Sequence, residues 1–296
     1  MLSARAERRG RVWPLFVHLR LHYQLLFLSP LFAWGFLLGG GQSSFRAWVG
    51  FVAFHCFLYS GITAYNSYYD RDEGPVGGLR APPAVSEGLL GFSWLIQGLG
   101  LGLAIWVSSW FAALYCLVML LSVAYSHPAL RWKARPILSL AVVAWGQGAV
   151  GYFGGWLCAQ DTPRPLLGTE ALLGLGVAML SAVGLYPLTQ IYQIDEDRSR
   201  GDVTFAVAFG HTACFQFALV CVALASACSV PLVWRVFGGW DAALLAVSFA
   251  LLLATIESWR RRFHATVAAN FTALHRLQLA LSLGTLAYVG VRLVLA

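Results

Sequence analysis

Acidic residues are scarce in this chain of 296 residues, which holds 13 Asp and Glu against 20 Lys and Arg. Only 11% of its residues are charged, and 59% are hydrophobic. A soluble domain of this length needs polar faces toward water, so the composition excludes an ordinary soluble protein. The net charge of +7 does not indicate nucleic-acid binding, because the positive residues stand in short loops rather than on one soluble face.

Cysteine pairs are also missing. None of the six cysteines belongs to a Cys-x-x-Cys pair, and all lie inside apolar runs: Cys56, Cys116, Cys158, Cys214, Cys221 and Cys228. Isolated thiols in such runs are typical of small packing residues. The sequence therefore predicts neither a disulfide framework nor a thiolate metal site.

Long apolar runs, by contrast, recur along the whole chain. About 20 apolar residues in a helix span the roughly 30 Å of a bilayer's hydrocarbon core. Because no linker divides the chain, we predict an all-α membrane protein with a single domain over residues 1–296. The nine predicted spans cover residues 18–39, 47–69, 86–107, 110–126, 137–158, 167–193, 212–234, 239–257 and 274–294.

The positive residues predict how these spans are oriented. Residues 1–13 carry four arginines and no small-residue cleavage site follows, which favours a retained cytoplasmic anchor over a signal peptide. With a cytoplasmic N-terminus, four of the 20 Lys and Arg face the opposite side: Arg46, Arg164, Arg235 and Arg292. This asymmetry supports an odd number of spans in the cell's inner membrane, with the acidic segments described next on the cytoplasmic face.

Seven of the 13 acidic residues lie in or beside two short segments: Asp70, Asp72, Glu73, Asp195, Glu196, Asp197 and Asp202. The first acidic segment, residues 65–74, ends the second predicted span, and the second acidic segment, residues 192–198, ends the sixth. Both read Tyr, side-chain amide, three residues, Asp, Arg. The amide and the Asp share one helix face in each, because they are four residues apart. This echo hints at a duplicated four-helix unit with a ninth helix added.

Oxygen ligands dominate both acidic segments, and neither contains Cys or His. Carboxylates are tolerated at the mouth of a helical bundle where they line a wet cavity and hold a cation. Hard oxygen ligands suit Mg²⁺, which substrate phosphate oxygens typically complete. We therefore predict a Mg²⁺ site formed by Asn66, Asp70, Asp72, Gln193, Asp195 and Asp197. Four of these are also the predicted catalytic residues: Asn66, Asp70, Asp195 and Asp197.

A basic loop, residues 125–136, is predicted on the same membrane face. It carries Arg131, Lys133 and Arg135 within five residues. Taken alone, these cations are explained by the bias of positive residues toward the cytoplasm. Beside two acidic segments, they favour a site for anionic diphosphate oxygens, which Arg binds in a bidentate way.

Three motifs now carry a resemblance: the first acidic segment, the loop YSHPALRWKARP and the stretch QIYQIDEDRSRGDVTFAVAFG. Their order and predicted membrane face resemble the UbiA superfamily of intramembrane prenyltransferases, over nearly the whole chain. The resemblance implies a UbiA-like bundle in which Mg²⁺ holds a prenyl diphosphate between the acidic segments and the isoprenoid tail lies in an apolar tunnel. It also implies Mg²⁺-dependent ionisation of the diphosphate and capture of the allylic carbocation by an aromatic or other lipophilic acceptor. No obligate protein partner is evident from the sequence.

Substrate-binding residues follow partly from this resemblance. Arg131 and Lys133 match the family's basic loop, and Arg71 and Arg198 are further candidates to contact the diphosphate. Four more residues are expected around the substrate because they lie within the motifs or on the polar face of the first span: Tyr68, Tyr69, Gln193 and His22. An aromatic belt at the interface or a satisfied helix interior would explain the tyrosines and the histidine equally simply.

The chain departs from the family pattern at three positions. The first family motif reads N-D-x-x-D-x-x-x-D, and here Ser67 and Gly74 replace its second and last acids. The second reads D-x-x-x-D, and Gln193 stands at its first position. Fewer carboxylates imply weaker metal binding or a different number of bound cations.

Two other functions fit the same sequence. A UbiA-type terpene cyclase would ionise the same diphosphate and close the chain on itself. A cation-coupled transporter would use the acids to bind an ion, and Pro187 in the sixth span is the kind of helix break that transporters contain. The acceptor and the prenyl chain length stay open, because the predicted tunnel consists of generic apolar residues.

Overall fold

The computed structural model describes residues 12–162 and 168–295. Nine helices in these ranges are long and apolar enough to cross a membrane. In chain order they are α1 Val12–Leu38, α2 Phe45–Asp70, α3 Gly88–Val107, α4 Ser109–Ser126, α5 Pro136–Ala159, α6 Thr169–Gln190, α7 Phe205–Phe237, α8 Gly239–Arg261 and α9 Val267–Leu295. The predicted all-α class and the count of nine spans are therefore confirmed.

Most predicted boundaries agree with the helices, but α1, α7 and α9 begin six or seven residues before the predicted residues 18, 212 and 274. Gly210 interrupts α7 with a φ of 77°, and helix is present on both sides of it. The predicted span begins only after this kink, next to the polar residue His211, and therefore misses the first turns of α7. In α9 the extra turns include Asn270, which is buried and bonded to the His264 carbonyl. The predicted sixth span starts at residue 167, which is outside the described residues, as are Arg164 and the arginines among residues 1–11.

Helix α1 is not continuous. It breaks at Arg20, whose backbone is left-handed with a φ of 49°, and then contains a wide π-helical turn over Gln24–Leu28. Gln24 is buried and donates a 2.8 Å hydrogen bond to Thr63 of α2. Similar π turns occur in α2 at Ala53–Tyr59 and in α5 at Ala144–Ala149. Such turns are rare and concentrate near functional sites because they redirect side chains.

Glycines allow α1 and α5 to pack backbone against backbone. A Cβ atom on Gly155 would collide with the Phe32 carbonyl oxygen, and one on Gly35 would collide with the Tyr152 carbonyl oxygen. Helices in membranes gain stability from such close approach, since burial of apolar groups from lipid contributes little. The pair of glycines therefore fixes the position of α1, which carries Arg20.

The buried apolar side chains of the described residues form three large clusters. One joins helices α1 through α5 around Phe54 and Phe111. Another joins helices α5 through α9 around Leu188. The third joins α1 to α5 through α9 around Trp34 and Tyr152. A cavity opens among these helices, and its wall includes side chains from α1, α2, α4, α5, α6, α7, α8 and α9. The hypothesis of a duplicated four-helix unit stays a prediction.

Candidate functional site

The cavity has a volume of about 860 Å³ and changes character along its length. Aliphatic and aromatic side chains line most of it, among them Leu31, Trp34 and Val177. At one end, where α2 and α6 finish, its lining becomes charged: Arg20, Asp70, Asp72, Lys133, Asp197, Arg200 and Asp202. We call this end the mouth. Such a shape accommodates a molecule with an ionic head and a long apolar tail.

Helix α2 ends at the point that delivers Asp70 to the mouth. Arg71 adopts a left-handed backbone with a φ of 51°, and its N–H donates to the Ser67 carbonyl at 3.0 Å. Asn66 lies one turn earlier on the same face and also lines the cavity. Its amide nitrogen donates to Ser126 Oγ at 2.9 Å, so its carbonyl oxygen is the atom that it can offer to a cation.

Asp72, two residues beyond the end of α2, turns back into the mouth. Its side chain is buried, and Oδ1 accepts a 2.7 Å hydrogen bond from Arg200 Nη1. The second oxygen, Oδ2, is fully buried and has no hydrogen-bond partner in the described chain. An unpartnered buried carboxylate oxygen is costly, so it indicates a position where a further cation or donor belongs.

The second acidic segment folds into a short helix, Ile194–Ser199. Asp197 is buried on its inner face, where Oδ2 accepts from Thr204 Oγ1 at 3.1 Å. Thr204 also caps α7 by accepting from the Val207 N–H, so the same residue fixes the start of α7 and the orientation of Asp197. Burial raises the pKa of Asp197 to about 6, although its hydrogen bond from Arg200 acts in the opposite direction.

The basic loop lies between the two acidic segments and contacts both. Lys133 is buried and its ammonium group forms an ion pair with Asp70. Arg131 holds Asp202 with two hydrogen bonds, Nε to Oδ1 at 2.6 Å and Nη2 to Oδ2 at 2.8 Å. These hydrogen bonds from the guanidinium raise the pKa of Arg131. The loop therefore ties the end of α2 to the segment that precedes α7.

Two mouth residues were missed as site residues by sequence reasoning: Arg200 and Asp202. Arg20 belongs to the polar face that the sequence predicts along the first span, and it is buried and donates a 2.8 Å hydrogen bond to Ser67 Oγ. Arg200 contacts Asp72, Glu196 and Asp197 together. A local signal for Arg200 existed, because it follows Glu196 by four residues and Asp197 by three. The approach of Asp72 has no such local signal.

The mouth brings together six of the predicted site residues: Asn66, Asp70, Asp72, Lys133, Gln193 and Asp197. Arg131 adjoins it, with Nη1 3.8 Å from Asp70 Oδ1. The other predicted residues lie elsewhere. The side chain of Asp195 is 98% exposed and pairs only loosely with the exposed Arg198, 3.8 Å away. Arg71 and His22 are also exposed.

The predicted tyrosines face away from the cavity. Tyr69 packs edge-on against Tyr65 and against His127, and Tyr65 in turn contacts Trp94 of α3. Tyr68 packs on a small apolar cluster that includes Leu89 of α3. Helical periodicity explains Tyr68, which is two residues from both Asn66 and Asp70 and therefore lies on nearly the opposite side of α2. Tyr69 is rotated by about 100° from its neighbour Asp70, so its ring packs beside the cavity and does not line it.

The donor set fits a magnesium ion that is completed by substrate. No group of three or more His, Cys, Asp and Glu side chains converges on one point in residues 12–162 and 168–295. Magnesium does not need one, because it is usually held by one or two carboxylates together with phosphate oxygens and water. Asp72 Oδ2 and the carbonyl oxygen of Asn66 are suitable hard ligands at the mouth, with Gln193 and Asp197 beside them.

Comparison with known proteins decides the family. The sequence model of the UbiA prenyltransferase family matches residues 27–282. The chain belongs to this family. A search of curated proteins finds no match to it.

Solved UbiA structures share the fold over almost the whole chain. A UbiA homologue from Archaeoglobus fulgidus bound to GPP and Mg²⁺ is 18% identical, with a TM-score of 0.72 over 95% of this chain and 99% of that one. The apo UbiA homologue from Aeropyrum pernix K1 is 22% identical, with a TM-score of 0.65 over 91% and 97% of the two chains. A digeranylgeranylglyceryl phosphate synthase is 16% identical, with a TM-score of 0.63 over 94% and 98%.

Two positions at which this protein lacks an acid of the UbiA pattern have distinctive surroundings in the structure. Ser67, which replaces a family acid, accepts the hydrogen bond from Arg20. Gly74, which replaces another, lies against Glu196, because a Cβ atom there would be 2.8 Å from Glu196 Oε2. An aspartate at residue 74 would therefore crowd and repel Glu196. At the two positions where this UbiA protein lacks an acid, a cation contacts Ser67 and another acid lies against Gly74.

Proposed function

We propose that the protein is an integral membrane prenyltransferase that moves an isoprenyl group from a prenyl diphosphate to a lipophilic acceptor. One observation carries the proposal: a cavity of about 860 Å³ joins a mouth of paired acids and bases to a long apolar interior. The mouth matches a diphosphate and its cation, and the interior matches an isoprenoid tail. Membership of the UbiA prenyltransferase family supports the same reaction class.

The cations of the mouth would bind the diphosphate and stabilise it as it leaves. Lys133 and Arg200 line the cavity, and each is held in place by a carboxylate before substrate arrives. Charged donors fixed in this way favour the developing negative charge without reorganising. A bound Mg²⁺, held by Asp72 Oδ2 and the carbonyl oxygen of Asn66 with Gln193 and Asp197 nearby, would supply Lewis-acid stabilisation of the diphosphate oxygens.

The apolar interior would shelter the reactive group. When the allylic C–O bond breaks, its electron pair leaves with the diphosphate and a carbocation remains at the first carbon of the tail. An acceptor atom with an available electron pair then forms the new bond and releases a proton. Side chains from α8 and α9, including Leu244, Ser248 and Thr285, form one wall, and Leu244 is also exposed on the outer surface. This wall would admit a lipophilic acceptor from the bilayer.

The mouth is proposed to face the cytoplasm of the cell's inner membrane. This orientation rests on the positive residues, since 16 of the 20 Lys and Arg fall on the mouth side if the N-terminus is cytoplasmic. Reactivity of single cysteines introduced at Arg80 and Arg235 toward an impermeant reagent tests it. We expect labelling of residue 80 from the cytoplasmic side and of residue 235 from the other side.

Incubation of the purified protein with a radiolabelled prenyl diphosphate and Mg²⁺ tests the reaction class. With a panel of aromatic and lipid-alcohol acceptors, the proposal expects pyrophosphate release that depends on acceptor and a product that contains both parts. Release without acceptor, together with a cyclic terpenoid, would instead indicate a terpene cyclase. Ion uptake into vesicles with no turnover would indicate a transporter.

Variants Asp70→Asn and Asp197→Asn connect that reaction to the mouth. Each removes a charge that organises Lys133 or Arg200, so we expect turnover to fall by about 100-fold or more. Glu257→Gln is the matched control, because Glu257 pairs with Arg260 and Arg261 at the end of α8 and does not line the cavity. Full activity of both aspartate variants would contradict the proposed site.

A further inference from the structure

Arg200 occupies the space between the two acidic segments. Its Nη1 lies 2.7 Å from Asp72 Oδ1 and 3.3 Å from both Glu196 Oε1 and the Asp70 carbonyl oxygen. Its Nη2 lies 2.9 Å from Asp197 Oδ1. One guanidinium thus donates hydrogen bonds to oxygens at the end of α2, in the loop after it and in the short helix Ile194–Ser199. A bound divalent ion would attract oxygens from different segments in the same way.

The carboxylates of the mouth are mostly engaged by fixed cations. Asp70 pairs with Lys133, both oxygens of Asp202 pair with Arg131, and Asp197 accepts from Arg200 and Thr204. Asp72 shares one oxygen with Arg200, and its other oxygen is the one mouth carboxylate oxygen that is buried without a partner among residues 12–162 and 168–295. That single buried, unpartnered oxygen favours one divalent ion rather than several.

The positions of the missing acids point the same way. Ser67 accepts a hydrogen bond from Arg20, so a cation contacts the position at which the family motif has a carboxylate. Gly74 leaves room for Glu196, which accepts from the Glu73 N–H at 3.0 Å and pairs with Arg200. Loss of carboxylates lowers the number of metal ions that a site can hold, and the guanidinium groups of Arg20 and Arg200 supply positive charge that a diphosphate requires.

We propose that Arg200 serves as a built-in cation in place of one metal ion, so that this protein binds a single divalent ion with its diphosphate. The inference rests on the proposed function, since it assumes that the mouth holds a diphosphate. Asp72 Oδ2 supplies the carboxylate ligand of the single ion, and Arg200 contacts the diphosphate from the opposite acidic segment.

Counting bound ions tests the proposal without turnover. The full-length protein in detergent is titrated with Mn²⁺ in the presence of inorganic pyrophosphate, and free Mn²⁺ is measured by electron paramagnetic resonance. The wild type is expected to bind one Mn²⁺ per chain above a protein-free blank. Arg200→Gln is expected to bind two, because Asp72 Oδ1 and Asp197 Oδ1 lose the cation that they share and become available to a second ion.

Arg198→Gln is the matched control. It removes an arginine two residues away whose side chain is 61% exposed and turned from the cavity, so its count is expected to equal that of the wild type. A wild-type count of two or more overturns the proposal for Arg200 and leaves the prenyltransferase proposal standing. This outcome decides the matter even if Arg200→Gln fails to fold. A count of zero, with no binding of pyrophosphate, overturns both.

Discussion

Arg131 donates two parallel hydrogen bonds of 2.6 and 2.8 Å to the carboxylate of Asp202, and these bonds join the basic loop to the residues that precede α7. Asp202 is buried and Arg131 is partly so, and the fork geometry makes this a stronger link than an exposed pair. The link aligns two parts of the mouth that are distant in sequence.

A double-mutant cycle at this pair measures the link. Arg131→Gln and Asp202→Asn should each destabilise the protein, since each leaves a charged partner unpaired. The double variant should be less damaged than the sum of the two, with a coupling energy of about 0.5–3 kcal/mol. Unfolding by SDS titration gives these free energies. Simple additivity would show that the two groups do not depend on each other.

Lys133 is expected to control the affinity for the prenyl diphosphate. Lys133→Gln removes a buried charge from the mouth, and a hydrogen bond to a charged group is worth about 1.5–3 kcal/mol, so KM should rise about tenfold or more. Steady-state kinetics at saturating acceptor measure it. Arg135→Gln changes an exposed cation of the same loop and should leave KM unaltered. An unchanged KM in Lys133→Gln would remove Lys133 from the diphosphate site.

The raised pKa of Asp197 predicts a pH dependence of stability in the protein without metal. Burial lifts this pKa from 3.8 to about 6, so between these values the folded protein holds a proton that the unfolded chain releases. Its contribution to stability is therefore complete below about pH 4 and is lost as pH rises through about 6.

Thermal unfolding in detergent with EDTA, from pH 4 to pH 7, measures this effect. The neutral side chain of Asp197→Asn cannot titrate, so the difference in midpoint between the wild type and this variant isolates Asp197 from other carboxyls. We expect the wild type to gain relative to the variant as the pH is lowered. A difference that stays constant with pH would show that Asp197 has an ordinary pKa.

Close packing of α1 on α5 predicts a sharp sensitivity at Gly155. Gly155→Ala places a methyl group against the Phe32 carbonyl oxygen, so one helix must shift, at a cost of about 1–3 kcal/mol. Gly102→Ala is the matched control, because a Cβ atom on Gly102 meets nothing within 4 Å. The melting midpoint in detergent should fall only for Gly155→Ala. Equal midpoints would mean that the two helices have room to adjust.

The sequence predicted the helices and one face of the site well because those features are local. Hydrophobic length defines the spans, and the four-residue spacing of Asn66 and Asp70 correctly predicts that both line the cavity. Periodicity also explains why Asp195 and Asp197 diverge: two positions along a helix lead to nearly opposite faces. The sequence predicts both at the metal, and only Asp197 reaches the mouth.

What the sequence could not predict depends on contacts between distant segments. Asp72 and Arg200 are 128 positions apart, and their meeting depends on how α2 and α6 end and on the turn at Gly201, which has a φ of 77°. The pairing of Arg131 with Asp202 likewise requires the loop between α4 and α5 to cross toward α7. Charge patterns showed that these residues were abundant near the site, but not which acid each base would bind.

Three arginines, Arg20, Arg71 and Arg131, have a positive φ, and they are the only non-glycine residues to do so in residues 12–162 and 168–295. This backbone is unfavourable for any residue with a Cβ atom, by roughly 1–2 kcal/mol. Glycine at such a position would relax the backbone but delete a charge, whereas lysine would keep the charge and the backbone cost. Valine or isoleucine would lose on both counts. At these three positions one residue therefore determines both the backbone conformation and the local positive charge, and a single substitution there can alter both.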